Sequence, residues 1–239
     1  MEPQVLHGQA GKLLHTSNLY HNESAGELAE LLVELTKSHD APSFDGAKVF
    51  FANSGTEANE GALKVARKVG KERWARATGK PSDDPSCDKH EIVCFENGFH
   101  GRSMGALSVT SNPKYQNPFT PLIPGVRVGK LNSQETIDNL ITGKTCAVIV
   151  EPIQGEGGIQ SATLDWLRAL RKKCDEVGAV LIFDEIQVCV RGVVIPPRLS
   201  MIDRRYSHLR YEVRTLQNGD ALGTLCVRPR LQAGYHHNG

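Results

Sequence analysis

The apolar run Ala179-Val180-Leu181-Ile182-Phe183, cut off by Asp184-Glu185, constrains the fold of this chain more than any other stretch. Five consecutive apolar residues describe a strand buried inside a sheet. Leu164–Val177, just before it, has helical spacing, and Gly178 is placed to end that helix. A buried strand that ends in a carboxylate puts a fixed negative charge at the carboxyl edge of a sheet. That edge is where α/β proteins hold ligands. An isolated Asp-Glu also serves as a plain turn cap, so the pair acquires meaning only from the rest of the chain.

The same alternation runs along the sequence. Residues 27–36 carry Leu28, Leu31, Leu32 and Leu35 at helical spacing. Residues 48–51 read as a short strand, and Asn53-Ser54-Gly55-Thr56 as a turn and helix cap. Residues 57–77 then read as a long helix with Ala58, Ala62, Val65, Ala66 and Val69 on its apolar side. Glu91–Phe95 and Thr145–Val150 are further strands, and residues 80–89 form a polar surface loop. Strands alternating with helices predict an α/β domain with a mostly parallel sheet flanked by helices.

Composition narrows the field. A chain of 239 residues, 39% hydrophobic, holds one large domain or two small ones. A net charge of +1 gives no footprint for nucleic acid. No apolar run is long enough to span a bilayer, so no membrane partner is expected. Met1-Glu2-Pro3-Gln4-Val5 has neither a signal core nor an Arg-rich leader. Cysteines 87, 94, 146, 174, 189 and 226 show no CxxC pair. They read as reduced thiols, Cys94 and Cys146 in the core, with no metal site.

Three further segments carry polar chemistry at strand exits. In Asn53-Ser54-Gly55-Thr56-Glu57-Ala58-Asn59 a helix start offers free N–H groups to an anion. Gly55 permits close approach and Thr56 adds a hydroxyl, although an ordinary capped helix explains the same residues. In Phe99-His100-Gly101-Arg102 the aromatic ring suits a flat heterocycle and Arg102 a carboxylate. Core packing for Phe99, a structural role for His100 and a surface ion pair for Arg102 are the alternatives. Glu151-Pro152-Ile153-Gln154-Gly155-Glu156-Gly157-Gly158 places Glu156 among residues that leave room for a ligand, and Gln187 is a donor for a ring hydroxyl.

Taken together, and in this order, these segments and Asp184-Glu185-Ile186-Gln187 resemble the class III aminotransferases that use pyridoxal phosphate (PLP). Leu14-His15-Thr16-Ser17-Asn18-Leu19-Tyr20 is similar to the acetylornithine branch. The resemblance runs from about Val5 to Gln187. It implies an incomplete fold-type I aminotransferase large domain over residues 1–187, and a homodimer in the parent family. By it, Gly55 and Thr56 hold the cofactor phosphate, Phe99 stacks on its ring and His100 belongs to the cofactor site. Asp184 pairs with the ring nitrogen, which needs that negative charge to stay protonated. Gln187 supports the ring oxygen. Arg102 receives a substrate carboxylate, and Glu156 gates the arginine that tells two substrates apart. The expected reaction is transamination between N-acetylornithine and 2-oxoglutarate, an amino acid and a 2-oxo acid, in a mitochondrial setting. Ornithine or 4-aminobutyrate as donor is the alternative, and a non-enzymatic PLP- or partner-binding homologue is another.

After Gln187 the resemblance stops. The family's Schiff-base lysine lies downstream, and residues 188–239 contain no lysine. No catalytic lysine is therefore assigned, and the chain is expected to be a non-catalytic fragment with an irregular tail at 188–239. That tail is readable through the genetic code. Val188-Cys189 is what GTATGT encodes, a common intron start. Moved forward one base from Val213, residues 213–225 with the first bases of Cys226 can spell CGLYRTGTLWAHS, which the family shows next. Residues 233–239 likewise shift to PDIITMA. Some steps are tight: the codon of Gln217 before Asn218 shifts only to Lys or Arg. A retained intron followed by out-of-frame translation accounts for this, and a genuinely divergent tail is the alternative.

Overall fold

Helix and strand alternate from Lys48 onward, as the spacing predicts. The structure, a computed structural model, describes residues 3–17, 19–39, 47–186, 212–218 and 222–227. Helices α1 (Pro3–Ala10) and α2 (Glu23–His39) precede strand β1 (Lys48–Ala52) and the long helix α3 (Gly55–Thr78). Strand β2 (Glu91–Phe95) leads to the short helices α4 (Met104–Ser108) and α5 (Pro113–Gln116) and to β3 (Val126–Gly129). Then come α6 (Gln134–Leu140), β4 (Thr145–Val150), and the small pair β5 (Ile153–Gln154) and β6 (Gln160–Ser161). Helix α7 (Leu164–Val177), β7 (Val180–Glu185), β8 (Glu212–Asn218) and β9 (Leu222–Val227) complete the described elements.

The main sheet has seven strands in the order β1-β9-β8-β7-β4-β2-β3. The pairs β2–β3, β2–β4, β4–β7 and β7–β8 are parallel, and β8–β9 and β1–β9 antiparallel. In register, Ala147 lies beside Val180 and Val150 beside Phe183, so β7 carries Asp184 and Glu185 two residues beyond the end of β4.

Alternate residues of the central strands bury on opposite faces. Ile92, Cys94, Ile149, Val180 and Ile182 pack with Ala62, Leu63, Ala66 and Val69 of α3. Val93, Phe95, Val148, Val150, Leu181 and Phe183 pack with Ile137 of α6 and Trp166, Leu167, Leu170 and Cys174 of α7. Each fully buried aliphatic side chain contributes about 1.5–3 kcal/mol of transfer free energy. Two covered faces explain why β4 and β7 read as unbroken apolar runs. Cys94 and Cys146 are fully buried within this core.

Two expectations are corrected. Residues 80–89 do not lie wholly on the surface: Lys89 is 5% exposed, because its ammonium is turned inward onto three backbone carbonyls. The stretch 188–239 is not irregular throughout, since Glu212–Asn218 and Leu222–Val227 have strand backbone. Without a neighbour, the edges of β7 and β1 would expose unpaired backbone groups, and β8 and β9 take these up. The β-branched Val213, Thr215, Thr224 and Val227 favour an extended chain, and Asn218-Gly219 between the strands is a hairpin signal. The remaining residues of 188–239 lie outside the described residues.

Candidate active site

The first turn of α3 is prepared for an anion. Ser54 has the extended backbone of an N-cap, and its Oγ accepts from Glu57 N at 3.3 Å. Glu57 reaches back, its Oε2 accepting from Asn53 N at 2.7 Å. The amides of Gly55 and Thr56 have no partner within the helix and stand at its positive end. A methyl group on Gly55 would lie 2.5 Å from Cδ1 of Ile186, the residue after β7. The helix start therefore rests directly on the carboxyl end of β7. Gly101, at φ 131°, packs as closely on Thr56: a side chain there would collide with the Thr56 hydroxyl.

Behind this turn lies a buried polar network. His100 Nδ1 is 2.7 Å from Asp184 Oδ2, with the two residues 3% and 4% exposed. Asn59 Nδ2 donates to the same Asp184 oxygen at 2.9 Å and to His100 O at 2.7 Å. Ile186 N donates to Asp184 Oδ1 at 3.1 Å. Asn59 Oδ1 is buried without a hydrogen-bond partner among the described residues. Glu151, the first residue after β4, accepts from Phe99 N at 2.9 Å. Burial raises its carboxyl to about 7, against the pull of His100 and the Phe99 amide and with a further push from Asp184. Two buried carboxyl groups thus flank one imidazole.

In front stands a more open cluster. The Phe99 ring is edge-on to Tyr115, with centroids 5.9 Å apart. The Arg102 guanidinium lies 3.8 Å from the Tyr115 ring centroid and 5.7 Å from that of Phe99. Tyr115 donates its hydroxyl to Glu156 Oε1 at 2.9 Å.

Residues chosen from sequence fall into two groups. Gly55, Thr56, His100 and Asp184 meet at the ends of α3 and β7 through the contacts above. Phe99, Arg102 and Glu156 gather around Tyr115. Gln187 lies outside the described residues. Asn59, Glu151 and Tyr115 complete these groups without having been chosen. Asn59 and Glu151 sit inside quoted motifs, but Tyr115 carries no motif signal.

The donor set suits a flat group with an anion at one end and a ring cation at the other. The free amides of Gly55 and Thr56 are suited to the anion, and the buried Asp184 carboxylate, braced by Asn59 and His100, is suited to the cation. Its fold is that of the aminotransferases. The ornithine aminotransferase of Toxoplasma gondii superposes with a TM-score of 0.72 at 24% identity, over 98% of this chain and 52% of that one. The N-acetylornithine aminotransferase of Stenotrophomonas maltophilia does so with a TM-score of 0.63 at 31% identity, over 95% and 53%.

Residues 3–192 match the family Aminotransferase class-III, and the chain belongs to that family. The mitochondrial acetylornithine aminotransferase of Yarrowia lipolytica is 51% identical over 238 residues, 98% of this chain and 54% of that protein. Its counterpart in Neurospora crassa is 54% identical over 184 residues, 77% of this chain and 38% of that protein. The chain spans about half the length of the curated relatives it matches. No helix among the described residues is long and apolar enough to cross a membrane.

Proposed function

We propose that this chain supplies the cofactor-holding half of a PLP-dependent aminotransferase that works between N-acetylornithine and 2-oxoglutarate. The observation that carries the reading is the buried Asn59–His100–Asp184 network set against the start of α3. PLP, when bound, supplies an electron sink for breaking bonds at the substrate α-carbon. The Gly55 and Thr56 amides bind its phosphate, and Asp184 holds a proton at its ring nitrogen. Asn59 and His100 fix the carboxylate that does so. Phe99 covers the ring, and Gln187 supports its ring oxygen. Arg102 takes a substrate carboxylate, with Glu156 as the gate. The family points to amino-acid and 2-oxo-acid substrates and a homodimer, and the names of the Yarrowia and Neurospora proteins point to mitochondria. A succinylornithine transaminase of Yersinia pestis, 45% identical over 182 residues, favours N-acylated ornithines in general as the amino donor.

PLP added to the purified chain should bind with quenching of tryptophan fluorescence, and Asp184→Asn should weaken binding tenfold or more (about 1.4 kcal/mol). Equal affinity of the two proteins defeats the assignment of Asp184. A polypeptide of these 239 residues should show no transamination, because no lysine follows Lys173. Turnover in a clean preparation would show that another lysine serves.

For residues 188–239, out-of-frame translation after a retained intron remains our first reading. It rests on the codon arithmetic above. A genuine tail is the second, favoured by the strand backbone of β8 and β9 and by a Yarrowia match that covers 98% of this chain. The nucleotide sequence decides. GT at the Val188 codon with AG at the junction of Glu212 and Val213 supports the first, and their absence ends it.

A further inference from the structure

Tyr115 touches both exposed charges of the outer cluster. Its hydroxyl holds Glu156 Oε1 at 2.9 Å, and its ring face lies 3.8 Å from the Arg102 guanidinium. Phe99 braces the ring from the side at an interplanar angle of 81°. Tyr115 itself stands on α5, whose start is fixed by Asn112 accepting from Lys114 N. Arg102 and Glu156 have opposite charge and share this neighbour, yet no ion pair joins them among the described residues. An exposed Arg–Glu pair is weak. One charge-assisted hydrogen bond and one cation–π contact are enough to hold its members apart.

We propose that Tyr115 is a positioning residue of the substrate site. It separates Arg102 from Glu156, so that the guanidinium stays open to a substrate carboxylate while Glu156 is parked on the hydroxyl. This rests on the reading of Arg102 and Glu156 given above. If the hydroxyl is lost, Glu156 is released beside an arginine that the ring still holds. The two charges then pair with each other, and an incoming carboxylate must displace Glu156 to reach Arg102. A tyrosine that only fills space would give a different result, because its ring is retained in phenylalanine and nothing would change.

The test compares the affinity for 2-oxoglutarate, by titration calorimetry, of the wild-type chain, Tyr115→Phe, and Tyr115→Phe combined with Glu156→Gln. Tyr115→Phe should bind about three- to fivefold more weakly, the scale of one exposed ion pair, and the double variant should return to within about twofold of wild type. Unchanged affinity in Tyr115→Phe, or no recovery in the double variant, overturns the proposal. A crystal structure of Tyr115→Phe gives a second readout: Arg102 and Glu156 should now form a direct ion pair. If they remain apart, the separating role is lost whatever the titration shows. If the wild-type chain binds no carboxylate, the role of Arg102 fails and the substrate-site role of Tyr115 with it, even if closure of the pair in the variant shows that the hydroxyl separates the two charges.

Discussion

Two buried charged sites lie at opposite ends of the same sheet and are satisfied in opposite ways. At the amino ends of β2, β4 and β7, Lys89 Nζ donates to Gly143 O, Thr145 O and Val177 O at 2.9, 3.1 and 2.7 Å. Arg73 Nη1 covers the next carbonyl, Gly178 O, at 2.7 Å. An ammonium has three donors, and all three are used. Every partner is backbone, and two of the carbonyls belong to the negative end of α7. At the carboxyl ends, Asp184 and Glu151 share a neighbourhood with one imidazole, and a buried Asn59 oxygen is left over. Burial lowers the ammonium of Lys89 and raises the carboxyl of Glu151, one cause acting on opposite charges. The amino end is closed on itself and serves stability. The carboxyl end leaves the Asn59 Oδ1 acceptor without a hydrogen-bond partner among the described residues.

The largest effect that tests this contrast is Lys89→Met. It leaves three inward carbonyls without their donor, and should cost about 3 kcal/mol or more in urea unfolding. A loss under about 1 kcal/mol would mean that the cage is incidental.

Next in size is Glu151→Gln, whose sign depends on pH. The folded chain holds the Glu151 proton up to about 7, against an ordinary value of 4.5. The folded state therefore binds more protons between those values, and stability falls as pH rises from about 4.5 to about 7. That difference corresponds to roughly 3 kcal/mol as an upper bound. Glutamine copies the protonated form, so Glu151→Gln should gain up to about that amount at pH 8 and nothing at pH 4. Melting curves that shift equally at both pH values would show that Glu151 is ionised in the fold.

The smallest pair matches one cap from each end. Gly178 ends α7 at φ 69°, where a side chain is strained, so Gly178→Ala should cost about 1 kcal/mol. Ser54→Ala removes the N-cap of α3 at a similar cost of about 1 kcal/mol. Only Ser54→Ala should also weaken phosphate binding. If Gly178→Ala weakens it equally, the two ends are not separate in function.

What could be read from sequence follows the same division. Glu91–Phe95, Thr145–Val150 and Leu164–Val177 are marked to the residue, because apolar runs and an amphipathic helix stopped by glycine leave little choice. Strand β3 and helix α6 escape notice: four and seven residues are too short to set a period. The anion-facing turn and Asp184 are visible as motifs. Lys89 is invisible, since its partners are carbonyls that every residue carries. Asn59 is quoted within a motif, but its partners lie 41 and 125 residues away, so no local pattern announces its role. Tyr115 has no periodic or motif neighbour at all, and its meaning arises only when Arg102 and Glu156 arrive on either side.

The Lys89 cage also has a place in time. Its carbonyls come from residues 54, 56 and 88 positions further along, and the last of them is Val177. During synthesis, at about 5–20 residues per second, every component of the clamp exists before β7 is made. In the folded chain Ile92, Cys94 and Ile149 pack against α3, and α7 is anchored at its end by the Val177 carbonyl. Strand β7 begins three residues after the clamp's last carbonyl, and its last residues carry Asp184 to Asn59 and His100. The clamp acts as a jig for the strand: by holding the chain just before β7 starts, it sets where Asp184 lies at the strand's far end.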